Sequence, residues 1–259
     1  MTTPIEVAIE NGVQTVRLNR PEKKNAITSA MYAAMADAIK AGWADGNVRA
    51  TLFLGTPGAF SSGNDIVDFM QVAQLGSEGS GERGSMPVFD FLEAIIMSQK
   101  PLVAGVDGLA IGVGVTMLMH CDYVVASGRS QFRTPFVDLG LVPEAGSSLL
   151  APQLMGHHKA FELLAMGEGW SAEDAKAAGI VNRIAGGDEL EAAAIAAAGK
   201  IAAKPPEAMK LSRDLIRGDR SPVLARMREE AEIFGKRLKS DEAKAAFMAF
   251  MAKGQKKAG

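Results

Sequence analysis

Short apolar segments alternate with helical segments in the first half of the chain, and this alternation limits the possible folds more than any other feature. Residues 48–54, 101–106 and 123–126 read as buried strands, because each is a short and mostly apolar run. A helix is expected from Pro87, and a second helix over residues 112–120. Strands that alternate with helices favour an α/β fold with parallel strand pairing.

The remaining N-terminal elements read as a hairpin and two further helices. Residues 5–10 and 13–18 are expected to pair as strands across a tight Asn11-Gly12 turn. Thr28 is expected to cap a helix, with an apolar stripe of Met31, Met35, Ala38 and Ile39. Residues 65–75 look helical. Residues 76–86 are rich in Gly and Ser, so we expect a mobile loop there.

The C-terminal part is predicted to be mostly helical from about residue 147. Ser171 and Asp174 form a capping-box pattern, and Gly179 is expected to end that helix. Further helices are predicted over 188–204, from Pro206, from Ser221 and over 240–253, the last with an apolar stripe of Ala243, Phe247, Phe250 and Met251. We therefore predict an α/β core over residues 1–200 and a helical region over residues 201–259.

Charge and cysteine content exclude several classes of function. The 28 basic and 30 acidic residues give a net charge of −2, which does not favour nucleic-acid binding. Cys121 is the only cysteine, so a reducing compartment is expected. The first residues resemble no secretion signal, and no run of 18 apolar residues is present. We expect a cytoplasmic protein without a membrane span. His120, His157 and His158 lack metal-site spacing, so we expect no metal site.

Two glycine-containing segments each follow a predicted strand. The segments are GAFSSGND at 58–65 and GLAIGVGVTM at 108–117. Small residues let the backbone approach a ligand, and a following helix directs free N–H groups toward it. Each segment alone is equally compatible with an ordinary strand-to-helix turn or with close packing of a helix on a sheet.

Glu144 is the single charged residue of the stretch GLVPEAGSSLLAP at 140–152. It is either a surface carboxylate at the start of a helix or an acid/base group whose pKa is raised in an apolar pocket. If both glycine segments aimed a backbone N–H at one oxygen, they would form an oxyanion hole. A nearby carboxylate could then move protons. No Ser-His-Asp set, cysteine nucleophile or metal cluster is evident in the sequence. Proton transfer beside a stabilised oxyanion therefore remains as the expected type of reaction.

Five motifs in this order resemble the crotonase, or enoyl-CoA hydratase/isomerase, superfamily. They are RPEKKNAI, GAFSSGNDI, KPLVAGVDGLAIGVGV, CDYVVAS and TPFVDLGLVPEAGSS. The resemblance implies a spiral of ββα units with a helical C-terminal region that packs on neighbouring subunits, in trimers or hexamers. It also implies an acyl-CoA substrate and no separate cofactor, with the backbone N–H groups of Asn64 and Val113 as oxyanion donors. The positions implied to contact substrate are Lys23, Lys24, Asn25, Ala26, Ser62, Gly63, Asp65, Ile66, Gly112, Thr116 and Phe136.

Two departures from the family pattern point to isomerisation. The positions of the two hydratase glutamates hold Thr116 and Phe136, so hydration lacks its usual carboxylates. The motif around Glu144 instead resembles Δ3,Δ2-enoyl-CoA isomerases of the peroxisomal type. The resemblance implies that Glu144 moves a proton from C2 to C4 of a 3-enoyl-CoA in fatty acid β-oxidation. Two alternatives remain open: another crotonase-type reaction such as hydration, and a catalytically silent acyl-CoA-binding subunit.

Overall fold

The computed structural model describes residues 3–68 and 86–256 of the 259-residue chain. Its strands are β1 (Ile5–Glu10), β2 (Val13–Leu18), β3 (Ala50–Leu54), β4 (Ala59–Ser61), β5 (Leu102–Val106), β6 (Leu109–Ile111), β7 (Tyr123–Ser127), β8 (Gln131–Arg133), β9 (Trp170–Ser171) and β10 (Arg183–Ala185). A helix also begins at residue 66, and its end lies outside the described residues. The other α-helices are α1 (Ser29–Ala44), α2 (Pro87–Ile96), α3 (Val113–Thr116), α4 (Ser147–Met155), α5 (His157–Leu164), α6 (Ala172–Ala177), α7 (Leu190–Ala202), α8 (Pro206–Arg217), α9 (Ser221–Leu238) and α10 (Asp241–Lys256).

The strands form two sheets, and consecutive strand pairs are divided between them. One sheet has six strands in the order β1-β2-β3-β5-β7-β10, and the other has four in the order β4-β6-β8-β9. In each of the pairs β3–β4, β5–β6 and β7–β8, the first strand joins the larger sheet and the second joins the smaller one. This repeat is the expected spiral of ββα units, and the α/β fold class is confirmed.

Strand pairing in the larger sheet is parallel except at one edge. The β1–β2 pair is antiparallel, with Ile5 opposite Leu18, and it forms the predicted hairpin. The pairs β2–β3, β3–β5, β5–β7 and β7–β10 are parallel. The short strands β4, β6, β8, β9 and β10 were not predicted, because two or three residues are too few to show a strand periodicity.

Both faces of the larger sheet are covered, which explains the continuously apolar strands. Leu52 and Leu54 face α7 and pack near its Ala194 and Ala198. Phe53, between them in sequence, points to the main core on the other face. When both faces of a sheet are covered, its strands are apolar at every position and do not alternate between polar and apolar residues.

Local capping signals place the helix starts as predicted. The Thr28 side chain accepts a hydrogen bond from the Met31 N–H at 3.3 Å, and Ser171 and Asp174 form the capping box. The helix predicted over 112–120 is shorter than expected: α3 ends at Thr116, and Met117–His120 continues as a 3₁₀ turn. Glycine at the α3 N-cap has φ +56°, a conformation unfavourable for other residues.

The apolar stripe of the last helix is partly used within its own chain. Ala243 and Phe247 are buried, and α10 lies against the 3₁₀ turn Val137–Leu139. These two residues of the stripe are therefore covered within the chain, and packing of this helical region on a neighbouring subunit stays a prediction. The side chains of Phe250 and Met251 lie outside the described residues.

Some predictions are only partly tested by the described residues. Residues 66–68 are helical, and the rest of the helix predicted to residue 75 lies outside the described part, as does the predicted mobile loop up to residue 85. The division of the chain at residue 200 stays a prediction. Within residues 3–68 and 86–256, no helix is long and apolar enough to cross a membrane.

Candidate active site

Glu144 lies in a tight turn that leads into α4, and its side chain is buried. The residue is only 8% exposed, so its interpretation as a surface charge at a helix start is wrong. Ala145 and Gly146 follow with φ values of +62° and +71°. Two consecutive residues in the left-handed region turn the chain sharply, which lets Glu144 point inward while Ser147 begins the helix.

Two side chains from distant parts of the sequence hold this turn. The Glu230 carboxylate, on α9, accepts hydrogen bonds from the Gly146 N–H at 2.6 Å and the Ser148 N–H at 2.9 Å. It thereby satisfies N–H groups at the start of α4 that have no partner within the helix. His120 donates from Nε2 to the Ala145 carbonyl oxygen at 2.8 Å.

The histidine in this arrangement is a neutral hydrogen-bond donor. Burial, which has the largest effect, and the nearby Arg220 and Arg217 charges lower the pKa of His120 to about 3, although the hydrogen bond to Ala145 acts in the opposite direction. The carbonyl of Ala145 can only accept, so Nε2 carries the proton and Nδ1 is left to accept from Arg220, 3.3 Å away. His120 therefore supports the turn structurally.

The environment of Glu144 favours the protonated carboxyl more than water does. Burial, which has the largest effect, and the negative charge of Glu230 together raise the pKa of Glu144 to about 7. A hydrogen bond from the Thr116 hydroxyl to Glu144 Oε1, 3.3 Å long, acts in the opposite direction. A carboxylate with a pKa near neutrality can both take up and release a proton, as a general acid/base must.

The two glycine segments pack against each other backbone to backbone. A β-carbon on Gly63, which has φ +89°, would lie 3.1 Å from the carbonyl oxygen of Ile111. A β-carbon on Gly114 would lie 3.1 Å from the carbonyl oxygen of Ser61. A β-carbon at either position would force the neighbouring segment to shift by a few tenths of an ångström, so the two glycines allow the close approach.

The close approach brings together the two segments that carry Asn64 and Val113. In the part of the chain that is described, neither backbone N–H has a protein acceptor. Val113 is the first residue of α3, where an N–H has no partner within the helix. Two free donors on adjoining segments are what an oxyanion hole requires.

A cavity of about 390 Å³ connects Asn64 and Glu144. Its polar wall is formed by Ser29, Tyr32, Asn64, Asp68 and Glu144. The Tyr32 hydroxyl donates to the Asn64 Oδ1 at 2.5 Å. Burial raises the pKa of Tyr32, and the Glu144 and Asp68 charges raise it further, so Tyr32 stays protonated and keeps Asn64 in place.

The rest of the cavity wall comes mainly from two helices and is largely apolar, with Glu232, Lys236 and Lys239 as its charged residues. Residues in and next to the first turns of α2 line it, and so do residues of α9 from Met227 to Leu238. The main apolar contributors are Met86, Pro87, Val88, Phe89, Leu92, Met227, Ala231, Phe234 and Leu238. A polar end and a largely apolar remainder suit a ligand with a reactive polar group on an apolar chain.

The predicted contact positions near residues 23–26 lie next to the first glycine-containing segment, residues 58–65. The Ser62 N–H donates to the Lys24 carbonyl at 2.9 Å, and the exposed Lys23 accepts from the Ser62 hydroxyl through its carbonyl. Asn25 is fully buried, and its side chain bonds to the Ala59 carbonyl and the Arg20 N–H. The Asn25 side chain therefore holds neighbouring backbone segments together. A contact between residues 23–26 and a substrate stays a prediction.

Several other positions predicted to contact substrate have partners within the protein instead. Asp65 forms an ion pair with Arg20 at 2.7 Å, which uses its carboxylate inside the protein. Ile66 packs on the main core, and Ala26 bonds through its carbonyl to Arg20. Phe136 is buried in the same core and is not among the described residues that line the cavity.

Three supporting residues were not identified from the sequence. Tyr32 and His120 carry no local signal, because their partners are 32 and 25 positions away. Glu230 does carry one: it occupies the apolar stripe of α9 between Met227 and Phe234, where a charge is unexpected.

Comparison with known proteins identifies relatives that match nearly the whole chain. The family described as enoyl-CoA hydratase/isomerase matches residues 8–258. Enoyl-CoA delta isomerase 2 of Rattus norvegicus is 37% identical over 253 residues, which are 97% of this chain and 64% of the rat protein. This chain thus spans less than two thirds of the length of that relative.

A hydratase and a solved structure are similar as well. Short-chain-enoyl-CoA hydratase of Clostridium acetobutylicum is 31% identical over 246 residues, which cover 94% of this chain and 93% of the hydratase. The crystal structure of enoyl-CoA hydratase/isomerase from Pseudoalteromonas atlantica T6c superposes with a TM-score of 0.90 at 40% identity, over 97% of this chain and 98% of that one.

Proposed function

The chain belongs to the enoyl-CoA hydratase/isomerase family, and from this membership we propose that it isomerises 3-enoyl-CoA to 2-trans-enoyl-CoA. The observation that carries the proposal is Glu144. It is a buried carboxylate with a pKa of about 7, in the wall of the same cavity as Asn64. Similarity to the rat isomerase supports this reaction.

The proposed mechanism uses one carboxylate twice. The thioester oxygen lies between the N–H groups of Asn64 and Val113, and the Glu144 carboxylate removes a proton from C2. The two N–H groups stabilise the negative charge of the resulting dienolate. Protonated Glu144 then delivers its proton to C4. The proton is moved and not consumed, so the reaction needs no metal, nicotinamide or flavin.

The acyl chain would extend away from Glu144 into the apolar part of the cavity. Apolar side chains of α2 and α9 line that part, so the chain leaves water as it binds. We place the reaction in the β-oxidation of unsaturated acyl-CoA and the protein in the cytoplasm. Coenzyme A enters only as part of the substrate.

Replacing Glu144 with glutamine tests the proposal. Glu144→Gln keeps size and hydrogen bonding but cannot take up the C2 proton. We expect turnover of 3-hexenoyl-CoA, followed by absorbance of the conjugated product, to fall by roughly 10²–10⁴-fold. Glu93→Gln is the matched control, because Glu93 is an exposed glutamate on α2. Turnover by Glu144→Gln within about tenfold of wild type, a barrier change of about 1.4 kcal/mol, would remove Glu144 from the mechanism.

Hydration of 2-enoyl-CoA is the second candidate, supported by similarity to the Clostridium hydratase. Thr116 and Phe136 occupy the positions of the hydratase carboxylates, so activation of water lacks its usual base. We expect wild-type protein to hydrate crotonyl-CoA much more slowly than it isomerises 3-hexenoyl-CoA. The reverse ranking would favour a hydratase, and binding without either reaction would indicate a silent acyl-CoA-binding subunit.

A further inference from the structure

One face of α9 borders the cavity over several turns and becomes more exposed along its length. Met227, Ala231 and Gly235 follow each other at intervals of four residues and all line the cavity. Met227 is buried, Ala231 is half-buried and Gly235 is exposed. The cavity therefore runs outward along α9 over about 12 Å, at 1.5 Å of rise per residue.

The buried end of this face is the end near Glu144. A β-carbon on Gly146 would lie 2.8 Å from Val223 Cγ1, so the first turns of α9 pack on the turn that carries Glu144. Glu230 binds the same turn through the Gly146 and Ser148 N–H groups. The helix then leads away from Glu144, which puts Gly235 at the far end of the cavity.

Among the described residues, neither the backbone nor the packing around Gly235 requires a glycine. The residue lies inside an 18-residue helix with regular backbone, where glycine is the poorest helix former except proline. A β-carbon at Gly235 would meet no atom of the described residues within 4 Å. By contrast, a β-carbon on the helical Gly42 would lie 2.5 Å from Gln14 Oε1, which explains that glycine by packing.

We propose that Gly235 determines the acyl-chain length that the site accepts, by keeping the outer end of the cavity open. This inference rests on the proposed function in one respect, that the ligand is an acyl-CoA. Substrates with chains long enough to pass Ala231 and reach Gly235 gain contact with Phe234 and Leu238, which line the cavity on either side of Gly235 in the sequence. The exposed Glu232, Lys236 and Lys239 also line this part of the cavity and keep it open to water. Each methylene that leaves water for an apolar contact strengthens binding about fourfold.

The test measures binding of saturated acyl-CoA thioesters, which have no double bond to move. Dissociation constants for butanoyl-, octanoyl- and dodecanoyl-CoA are determined by calorimetry for wild type, Gly235→Ala and Gly235→Leu. Gly199→Leu is the matched control: it also replaces a helical glycine with open space around its β-carbon, on α7 and outside the cavity.

In wild type, we expect dodecanoyl-CoA to bind at least roughly tenfold more tightly than butanoyl-CoA. Gly235→Leu should reduce this ratio at least tenfold, Gly235→Ala should have an intermediate effect, and Gly199→Leu should keep the wild-type ratio. Leucine and alanine favour helix, so circular dichroism and Tm should show a folded protein in each case.

An equal ratio in wild type and Gly235→Leu would overturn the inference, and so would a wild type that does not distinguish the three chains. These outcomes are separable from failure of the proposed reaction. If Glu144→Gln kept its isomerase activity, the catalytic assignment would fall, while the binding ratios would still decide the role of Gly235.

Discussion

At the scale of single residues, the site depends on where two carboxylates lie relative to each other. Glu144 is buried at the cavity, and Glu230 is buried beside the turn that carries it. The groups that act on Glu144 are Glu230 from α9, which raises its pKa, and Thr116 from α3, which lowers it; Tyr32 from α1 stays protonated. Replacing Glu230 or Thr116 should therefore change the pH at which Glu144 ionises.

The pH dependence of isomerisation tests this arrangement. The base is the ionised form of Glu144, so kcat/KM should rise with pH through the pKa of about 7 and level off above it. Glu230→Gln removes a negative charge, which lowers the pKa of Glu144, so activity at pH 6 should increase relative to activity at pH 9. A merely structural role of Glu230 would lower activity equally at both pH values, and the ratio would then stay that of wild type.

At the scale of elements, the sequence predicted those whose signals are local. The capped helix from Thr28 and the capping box at Ser171 were found because cap and helix are neighbours in the chain. The two-residue strand β9 and the three-residue strands were missed, because pairing with other strands defines them. In the site, Glu144 was found through its lone charge in an apolar stretch, whereas the role of Tyr32 requires a contact between α1 and Asn64.

The turn after Glu144 should tolerate glycine and reject a branched side chain. Ala145 has φ +62°, which costs an L-residue about 1–2 kcal/mol. Ala145→Gly removes this cost but loses a buried methyl group, about 0.8 kcal/mol, and gains unfolded-state entropy, about 0.4–1 kcal/mol. The net change in unfolding free energy should be close to zero.

Ala145→Val should behave differently, because a β-branched residue fits this backbone conformation poorly and the site is 1% exposed. We expect a loss of roughly 2 kcal/mol or more in urea unfolding, with reduced isomerase activity as Glu144 is displaced. Equal stabilities of the glycine and valine variants would show that the turn is not strained as described.

At the scale of the whole molecule, the single chain leaves apolar side chains of α8 uncovered. Leu215 and Ile216 are each 86% exposed, and Leu211, one turn earlier, is 53% exposed. Large exposed apolar side chains in one patch mark contact surfaces more often than free surface. Together with the assembly that the family resemblance implies, this supports a homotrimer or hexamer as a proposal.

Sedimentation at micromolar concentration tests the assembly. Wild type should sediment as a multiple of the 27.2 kDa chain, and Leu215→Glu with Ile216→Glu should shift it toward the monomer. Glu207→Gln, an exposed change in the first turn of the same helix, is the control and should leave the assembly intact. A wild type that sediments as a 27.2 kDa monomer would contradict the proposal.

The central claim is that one buried carboxylate carries the proton from C2 to C4, and isotope transfer measures this most directly. In a single turnover of 3-hexenoyl-CoA deuterated at C2, Glu144 takes up a deuteron while its side chain is shielded from solvent by its 8% exposure. The account predicts that mass spectrometry finds part of this deuterium at C4 of the product. Product that holds only solvent hydrogen at C4 would contradict transfer by a single carboxylate.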